Sequence, residues 1–218
     1  MQGKLIVIEG ADISGKATQA KLLANRLRKT GKTVEAISIP RYEGFFGKII
    51  EKYQHGKFGN PHELPPEFCA QLYSLDRYQI LNEIKKALKE GKILIMDRYV
   101  QSNFAFQTAK FSNPSEQDSF LQWMQTVESR MPKADAVIFL EMPTEFSQKL
   151  LKNEKKKADL HESNLAYQKR VLAIYERLAR SGNWLCIKCA YAQQNAKWKL
   201  KSKKQIAEEI WNGIKSRI

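Results

Sequence analysis

The chain has 218 residues, 43% of them hydrophobic and 10% aromatic, which suits one well-buried globular domain, whereas two would be cramped. Its net charge of +14 comes partly from local lysine clusters, and the chain lacks the sequence signature of the common single-strand RNA-binding sheets, so we expect no nucleic-acid partner. Every apolar stretch falls short of the roughly 18 residues of a membrane span, and the first predicted strand begins too early for a signal peptide, so we expect a cytoplasmic protein without membrane attachment.

Hydrophobic periodicity predicts strands and helices that alternate along the chain. The predicted strands are Leu5–Glu9, Val34–Ile39, Ile93–Asp97, Ala136–Glu141 and Trp184–Cys189. The predicted helices are Lys16–Lys29, Pro66–Glu90, Glu116–Met131, Thr144–Lys152, Ser163–Arg180 and Lys204–Ser216. Because the strands are continuous apolar runs, we expect helices on both faces of the sheet. The pattern therefore predicts an α/β fold with an open five-stranded parallel sheet in a single domain, 1–218.

Two segments and three cysteines complete this description. Gly44–Pro66 and Lys152–His161 lack a dense core pattern, and we expect both to be mobile. Cys186 and Cys189 lie three positions apart on a predicted strand, so their thiols should point to opposite faces. With Cys69 in a helical pattern, all three are predicted to be reduced packing residues rather than zinc ligands.

The most informative segment is Gly10–Ala17, which follows the first predicted strand and opens the first predicted helix. Its G-x-x-x-x-G-K pattern, in that context, indicates a loop that holds a nucleoside triphosphate. Such a loop points successive backbone N–H groups at the phosphates, at the positive end of a helix dipole, and its lysine adds a cation. The residues predicted to bind ATP are Gly10, Ser14, Gly15, Lys16, Ala17 and Thr18.

Charged residues follow the predicted strands where a parallel sheet binds its ligands, at the carboxyl ends. Asp97 ends the third strand and Arg98 follows it, Arg41 follows the second, and Arg77 lies in the helix between them. A carboxylate in such a place suits Mg²⁺, and a guanidinium suits a bidentate phosphate contact. Three arginines beside a phosphate loop predict a site for two phosphorylated molecules, a donor and an acceptor.

Five segments together resemble thymidylate kinases, P-loop enzymes that transfer the γ-phosphate of ATP to dTMP. Ile8–Gln19 is similar to the family's E-G-x-D-G-x-G-K-x-T-Q, and Ile39–Tyr42 to its F-P-R-Y. Leu72–Arg77 resembles its L-[FY]-x-x-D-R helix, and Asp97–Gln107 its D-R-Y-x-x-S-x-x-A-Y-Q. Asp159–Glu162 resembles its D-x-[YH]-E segment after the lid. The resemblance runs nearly end to end and implies a P-loop kinase fold with a mobile lid.

The resemblance also implies roles at the phosphates. Lys16 and the phosphate loop would hold ATP, while Arg98 and Arg41 would bind the acceptor phosphate. Asp97 would help to position Mg²⁺. Asp12 would lie near the sugar 3′-hydroxyl and the metal, and Glu162 would join that end of the site, so these three carboxylates are the expected metal ligands.

The same resemblance implies how the acceptor nucleoside is selected. Tyr73 would stack on thymine and Arg77 would donate to its O4 carbonyl. Phe106 stands where the family has a tyrosine that disfavours ribose by crowding the 2′ position. The polar side chains expected at N3 and the neighbouring base edges are Ser102, Asn103 and Gln107.

Several residues depart from the family pattern. Ala17 lacks the hydroxyl that usually binds Mg²⁺, and Ile13 replaces a glycine commonly found after the aspartate. The expected lid, 152–161, contains lysine but no arginine, and lysine cannot fork onto two phosphate oxygens. We therefore expect one of the lid lysines, with a loose lid, to give a modest turnover. The lid cations are Lys155, Lys156 and Lys157.

Three functions remain open at this point. The first is dTMP kinase activity, and the second is a related kinase that acts on dUMP or a deoxynucleoside. The third is a nucleotide-binding regulatory protein, because Ala17 and Ile13 could weaken the phosphate loop. The resemblance further implies a homodimer, for which the predicted helix Pro66–Glu90 could supply an apolar interface.

Overall fold

The computed structural model describes residues 2–144, 146–147, 164–192 and 198–217. Its strands are Lys4–Gly10 (β1), Val34–Ser38 (β2), Ile93–Asp97 (β3), Ala136–Glu141 (β4), Leu185–Lys188 (β5), Ala190–Ala192 (β6) and Trp198–Leu200 (β7). The first five form a parallel sheet in the order β2-β3-β1-β4-β5, so the predicted five-stranded parallel sheet is confirmed. A separate antiparallel hairpin pairs β6 with β7.

The helices of the described residues lie between these strands. They are Lys16–Lys29 (α1), Phe45–Gln54 (α2), Pro66–Tyr78 (α3), Leu81–Lys89 (α4), Val100–Thr108 (α5), Pro114–Val127 (α6), Leu165–Gly182 (α7) and Lys203–Ile214 (α8). None of these helices is both long enough and apolar enough to span a membrane.

Helices cover both faces of the sheet, as the apolar strands predict. Ile6 and Ile8 of β1 face one side, where they pack with the apolar residues of α1 and α8. Leu5 and Val7 face the other side, where α4 covers β1 and β3. Phe139 of β4 packs there against α7. This sandwich of helices around one sheet buries the strands and leaves their carboxyl ends free for a binding site.

The single helix predicted at Pro66–Glu90 is wrong, because the chain ends one helix at Tyr78 and begins another at Leu81. The two halves pack against different neighbours, α3 against α2 and α5, and α4 against β3. One straight helix could not reach both surfaces, so tertiary packing overrides a helical pattern that continues through the break.

Three further elements differ from the sequence prediction. Gly44–Pro66 contains α2, whose Ile50 and Tyr53 pack on α3, a sparse apolar spacing that the prediction of a mobile segment overlooked. The predicted strands and helices also lacked α5 and the β6–β7 hairpin. Cys186 is exposed and Cys189 buried, so the two thiols do diverge, but Cys186 is not a packing residue.

The predicted helix Thr144–Lys152 lies mostly outside the described residues, and the expected lid at 152–161 lies wholly outside them. The same holds for the three lid lysines and for Glu162. Their predicted roles stay predictions.

Replacing Ile210 by Ala tests the packing of α8 on the sheet. Ile210 is 1% exposed in the cluster that α8 forms with α1 and β1, so its loss leaves a cavity. We expect the free energy of unfolding to fall by about 2–5 kcal/mol, measured by urea denaturation. Lys204→Ala, on the exposed part of the same helix, should change it by less than about 0.5 kcal/mol. Equal losses in the two variants would contradict this packing.

Candidate active site

The phosphate loop joins β1 to α1 with a sharply folded backbone. Gly10 has a φ of 152°, and a Cβ there would lie 2.7 Å from the carbonyl oxygen of Leu140. Gly15, with a φ of 87°, occupies the N-cap of α1, so both glycines are required by the backbone. Ala17 and Thr18 lie in the first turn of α1.

Ile13 of this loop adopts a φ of 59°, in the left-handed region that L-residues disfavour. The conformation costs roughly 1–2 kcal/mol for a residue with a Cβ. The glycine that the family commonly has near this position would adopt it without that cost. The loop thus keeps its folded shape although Ile13 strains it.

Lys16, the first residue of α1, is a buried cation beside the loop backbone. It is 7% exposed, and its Nζ donates a hydrogen bond of 2.7 Å to the carbonyl oxygen of Ala11. Burial, followed by the charge of Arg98, lowers the pKa of Lys16 to about 8, although nearby carboxylates act in the opposite direction. An anion bound beside the ammonium group would therefore stabilise its charged form.

Arg98 stands next to the phosphate loop because of the sheet register. Strands β1 and β3 pair with Ile8 opposite Asp97, so the residue that follows β3 lies beside the loop that follows β1. The Nη1 of Arg98 donates to the carbonyl oxygen of Gly10 at 3.2 Å, and its Nη2 donates to the carboxylate of Asp12. Lys16 and Arg98 thus contact carbonyl groups of adjacent loop residues.

A pocket beside Arg98 is lined by residues of α3 and α5. Its lining contains many residues that the sequence predicts at an acceptor site, namely Asp12, Tyr73, Arg77, Arg98, Ser102, Asn103, Phe106 and Gln107. It also contains residues that the prediction left out, namely Ile39, Pro40, Tyr42, Gln54 and Tyr99. Four of these five lie inside the motif segments quoted above, whereas Gln54 lies in a helix that the sequence did not reveal.

Aromatic rings form two walls of this pocket. Tyr73 packs edge-on against Tyr53, with ring centroids 6.2 Å apart, and its hydroxyl accepts a hydrogen bond from Gln54 at 3.3 Å. Phe106 lies under the guanidinium of Arg98, 5.2 Å from ring centroid to Cζ, and touches Tyr175 edge-on. The pocket is therefore flat-sided and suited to a planar ring.

Arg77 lines the pocket in a buried ion pair with Glu128. Their side chains are only 1% and 2% exposed, and the guanidinium contacts both carboxylate oxygens. Ser74 donates to the same carboxylate at 2.6 Å. A buried carboxylate with this many donors fixes the orientation of the guanidinium. Sequence reasoning missed Glu128, because nothing beside it in the chain marks it.

The amide of Asn103 has a fixed orientation next to this ion pair. Its Nδ2 lies within hydrogen-bond distance of the Ala70 carbonyl at 2.9 Å, and of Ser74 Oγ and Glu128 Oε1, each at 3.3 Å. Its Oδ1 is buried and has no partner among the described residues, and the same is true of Gln107 Oε1. The pocket lining thus contains two buried acceptor atoms that have no donor in the described part of the chain.

The side chain of Arg41 does not line the pocket, although its chain neighbours Pro40 and Tyr42 do. Its backbone N–H donates to the carboxylate of Asp76 at 3.0 Å, while its guanidinium lies 3.8 Å from Glu83 and is 41% exposed. Asp76 also accepts from Gln79, and burial raises the pKa of its carboxyl group. The structure therefore holds the backbone of Arg41 in place and leaves its side chain at the surface.

Glu9, the next-to-last residue of β1, is a fully buried carboxylate behind the pocket. It accepts hydrogen bonds from the backbone of Tyr99 and Ser102 and from the hydroxyls of Ser102 and Tyr175. Burial raises the pKa of Glu9, although these donors and the charge of Arg98 oppose the rise. Sequence reasoning assigned it no role, because it appeared only as a letter of the phosphate-loop motif.

The donor atoms beside the phosphate loop fit a hard cation such as Mg²⁺. Asp97 is half-buried at the carboxyl end of β3, and the buried hydroxyl of Ser14 lacks a partner among the described residues. The described residues contain no cluster of three metal-binding side chains. Mg²⁺ usually takes one or two carboxylates and completes its shell with phosphates and water, so this donor set suits it.

Comparisons with known proteins agree with this geometry. The family model described as thymidylate kinase matches residues 8–197. The chain is 30% identical to the thymidylate kinase of Plasmodium falciparum, over 85% of this chain and 82% of that one. It is also 30% identical to that of Homo sapiens, over 84% and 81%. The fold matches the solved structure of thymidylate kinase from Candida albicans with a TM-score of 0.76 at 24% identity, covering 99% of this chain and 92% of that one. The chain therefore belongs to the thymidylate kinase family.

Proposed function

We propose that this protein transfers the γ-phosphoryl group of ATP to dTMP, giving ADP and dTDP. The proposal rests on one observation: two cationic side chains contact the backbone of the phosphate loop. Lys16 donates to the carbonyl of Ala11, and Arg98 donates to the carbonyl of Gly10, its neighbour. A triphosphate in the loop and a monophosphate in the pocket would therefore approach each other at this point.

The reaction needs little covalent help from the protein. An oxygen of the dTMP phosphate attacks the γ-phosphorus, and the bond from that phosphorus to the oxygen that bridges to the β-phosphate breaks. Lys16 and the loop N–H groups would hold the donor, and Arg98 would hold the acceptor phosphate in line. Because both cations are largely withdrawn from water, their attraction for the developing charge is strong and needs little reorganisation.

Mg²⁺ would complete the donor site. Bound with ATP, it would neutralise charge on the β- and γ-phosphates. Asp97 would hold it, directly or through water, with Asp12 and Glu162 as the further ligands expected from the family resemblance. Asp12 is engaged by Arg98 in this structure, so Asp97 is the carboxylate best placed for the metal.

The base would be read by a donor and an acceptor at the end of the pocket. Arg77, fixed by Glu128, would donate to the O4 carbonyl of thymine. Asn103 would accept from N3–H, because its amide nitrogen already faces other acceptors and only Oδ1 is available. Cytosine presents an amino group and an unprotonated N3 at these positions, so both contacts would be lost. The pair selects thymine or uracil over cytosine.

The remaining acceptor contacts are proposed on position alone. Tyr73 would stack on the base, Gln107 would bind a neighbouring polar atom, and Phe106 would crowd a ribose 2′-hydroxyl. The hydroxyl of Ser102 already contacts Glu9, Arg98 and Tyr175, so its contact with the base stays a prediction. The phosphate contact of Arg41 and the roles of the lid lysines stay predictions, as do the cytoplasmic location and the homodimer.

The direct test supplies ATP, Mg²⁺ and one acceptor at a time, and measures ADP by a coupled assay. We expect ADP with dTMP, less with dUMP, and little with dCMP or deoxythymidine. ATP binding with no ADP from any nucleotide would instead identify a regulatory protein and overturn the proposal.

Arg98→Ala should lower kcat/KM for dTMP by roughly 10²–10³-fold, because it removes a largely buried cation that would hold the acceptor phosphate. Arg98→Lys should recover only part of the loss, since an ammonium cannot fork onto two oxygens. Arg177→Ala, at an exposed ion pair with Asp118, is the matched control and should behave like the parent protein. Parent-like kinetics for Arg98→Ala would remove Arg98 from the site.

Asn103→Leu should lower kcat/KM for dTMP by about 10- to 100-fold, because the substitution removes the proposed acceptor of N3–H and keeps a side chain of similar size. The KM for ATP should stay within about twofold, since Asn103 lies at the base end of the pocket. Asn212→Ala, at an exposed asparagine, serves as the control. An unchanged preference for dTMP over dCMP would refute this contact.

The pH dependence of ATP use tests Lys16. Its free-enzyme pKa is about 8, and a bound triphosphate favours the charged ammonium. Affinity for ATP is then greatest below that pH and declines as the pH rises through it, by at most about tenfold per pH unit. We expect kcat/KM for ATP, at saturating dTMP, to show this decline between about pH 6 and pH 9. Lys16→Arg, which stays charged, should lack it, and a parent-like decline in that variant would exclude Lys16 as its source.

A further inference from the structure

Glu9 accepts four hydrogen bonds from residues on the acceptor side of the site, although the sequence motifs assign it no role. It is 0% exposed and does not belong to the described residues that line the pocket. Both of its carboxylate oxygens are directed at α5, the helix that follows Arg98. Each oxygen accepts two hydrogen bonds, which fully engages the carboxylate.

One oxygen of Glu9 caps α5 from another strand. Its Oε1 accepts from the backbone N–H of Tyr99 at 2.9 Å and of Ser102 at 3.1 Å. Tyr99 is the N-cap of α5 and makes no side-chain capping bond, and the described first turn contains no acidic residue. Glu9 therefore supplies the anion and the acceptor that a helix N-terminus requires.

The capping contact also holds Arg98 in an unusual backbone conformation. Arg98 has a φ of 66°, which a residue with a Cβ adopts only when its surroundings enforce it. Its own N–H donates to the Ile8 carbonyl at 3.0 Å, and the next N–H, of Tyr99, donates to Glu9. Ile8 and Glu9, two successive residues of β1, thus accept hydrogen bonds from the backbone N–H groups on either side of the Arg98 α-carbon.

The second oxygen of Glu9 reaches the guanidinium through a hydroxyl. Its Oε2 accepts from Ser102 Oγ at 2.6 Å and from the Tyr175 hydroxyl at 2.9 Å. Ser102 Oγ in turn accepts from Arg98 Nη1 at 3.1 Å. Ser102 Oγ also lies 2.8 Å from the Tyr175 hydroxyl, so Glu9 and Tyr175 together hold the oxygen that accepts from the guanidinium.

We propose that Glu9 is the positioning residue of the acceptor site, which sets both the backbone and the guanidinium of Arg98 toward the acceptor phosphate. This inference rests on the proposed function, because it assigns Arg98 to that phosphate. Glu9 itself touches no substrate atom. A carboxylate that only filled the core would stabilise the fold and leave the two substrates equally well bound.

Glu9→Gln tests the proposal with little change in shape. The amide oxygen can still cap α5, but the NH₂ group presents a donor to Ser102 and competes with Arg98 for its lone pairs. We expect kcat/KM for dTMP to fall roughly 10- to 100-fold, as when a supporting contact of an active-site group is lost. The KM for ATP should stay within about twofold, since the phosphate loop and Lys16 do not depend on this contact.

Asp135→Asn is the matched control, because Asp135 also accepts a backbone N–H of β1, that of Leu5 at 2.8 Å. It makes the same carboxylate-to-amide change at the amino end of the strand. Its kcat/KM for dTMP should equal that of the parent protein, whatever stability it loses.

A double-mutant cycle separates positioning from structure. If Glu9 acts through Arg98, the change Glu9→Gln has no further effect on kcat/KM when Arg98 is already Ala. An undiminished effect in that background, equal losses for both substrates, or parent-like kinetics for Glu9→Gln would overturn the proposal. If Glu9→Gln does not fold, Tyr175→Phe keeps the carboxylate and removes one of its donors. That variant should lower kcat/KM for dTMP by about two- to fivefold, again only when Arg98 is present, and unchanged kinetics would overturn the proposal.

One measurement does not depend on turnover. The NMR signal of the Arg98 Nε–Hε group, identified by its disappearance in Arg98→Ala, should shift and broaden in Glu9→Gln, and an unchanged signal would refute positioning. A parent protein that makes no ADP from dTMP overturns the proposed function. Parent activity with an unaltered Arg98 signal in Glu9→Gln overturns only the role of Glu9.

Discussion

The contact of Arg98 with the phosphate loop is the constraint on which the rest of the site depends. It exists because parallel pairing sets Ile8 opposite Asp97, so the loops that follow β1 and β3 leave the sheet side by side. The guanidinium then reaches the Gly10 carbonyl and the Asp12 carboxylate without leaving its strand end. A shift of one residue in this register would turn Arg98 to the other face and separate the loop from the pocket.

Burial strengthens the electrostatic interactions of the charged groups at the site, and it also makes an unpaired charge unfavourable. Lys16, Glu9 and the Arg77–Glu128 pair are all nearly excluded from water, where an unpaired ion would be strongly unfavourable. Among the described residues, Lys16 Nζ donates to a backbone carbonyl alone, and burial lowers the pKa of its ammonium group. Glu9 accepts from four donors. Within the part of the chain that the structure describes, Lys16 is thus a cation without a carboxylate at contact distance, and the polyphosphate of ATP would supply that anion.

The sequence predicted what depends on local pattern and missed what depends on distant partners. Ile93–Asp97 was located to the residue, because an unbroken apolar run before a charged pair has few other interpretations. The break before Leu81 was missed, because the helical pattern continues through it and only packing against two neighbours divides it. Glu9 and Glu128 were missed as well, since their partners lie 90 and 51 residues away and a lone carboxylate has no signature in sequence.

The two arginines of the pocket are both held by carboxylates, yet with different exposure. Arg77 and Glu128 are 1% and 2% exposed, so a ligand meets the pair as a fixed unit. Arg98 and Asp12 are 16% and 26% exposed. The guanidinium is therefore accessible to another anion, which could replace Asp12 without a movement of Arg98. Hydrogen bonds to a planar base require a partner of fixed orientation. A phosphate that binds and dissociates requires a cation that can exchange one anion for another. On the proposed function, this difference in burial would orient dTMP with its base toward Glu128 and its phosphate toward the phosphate loop.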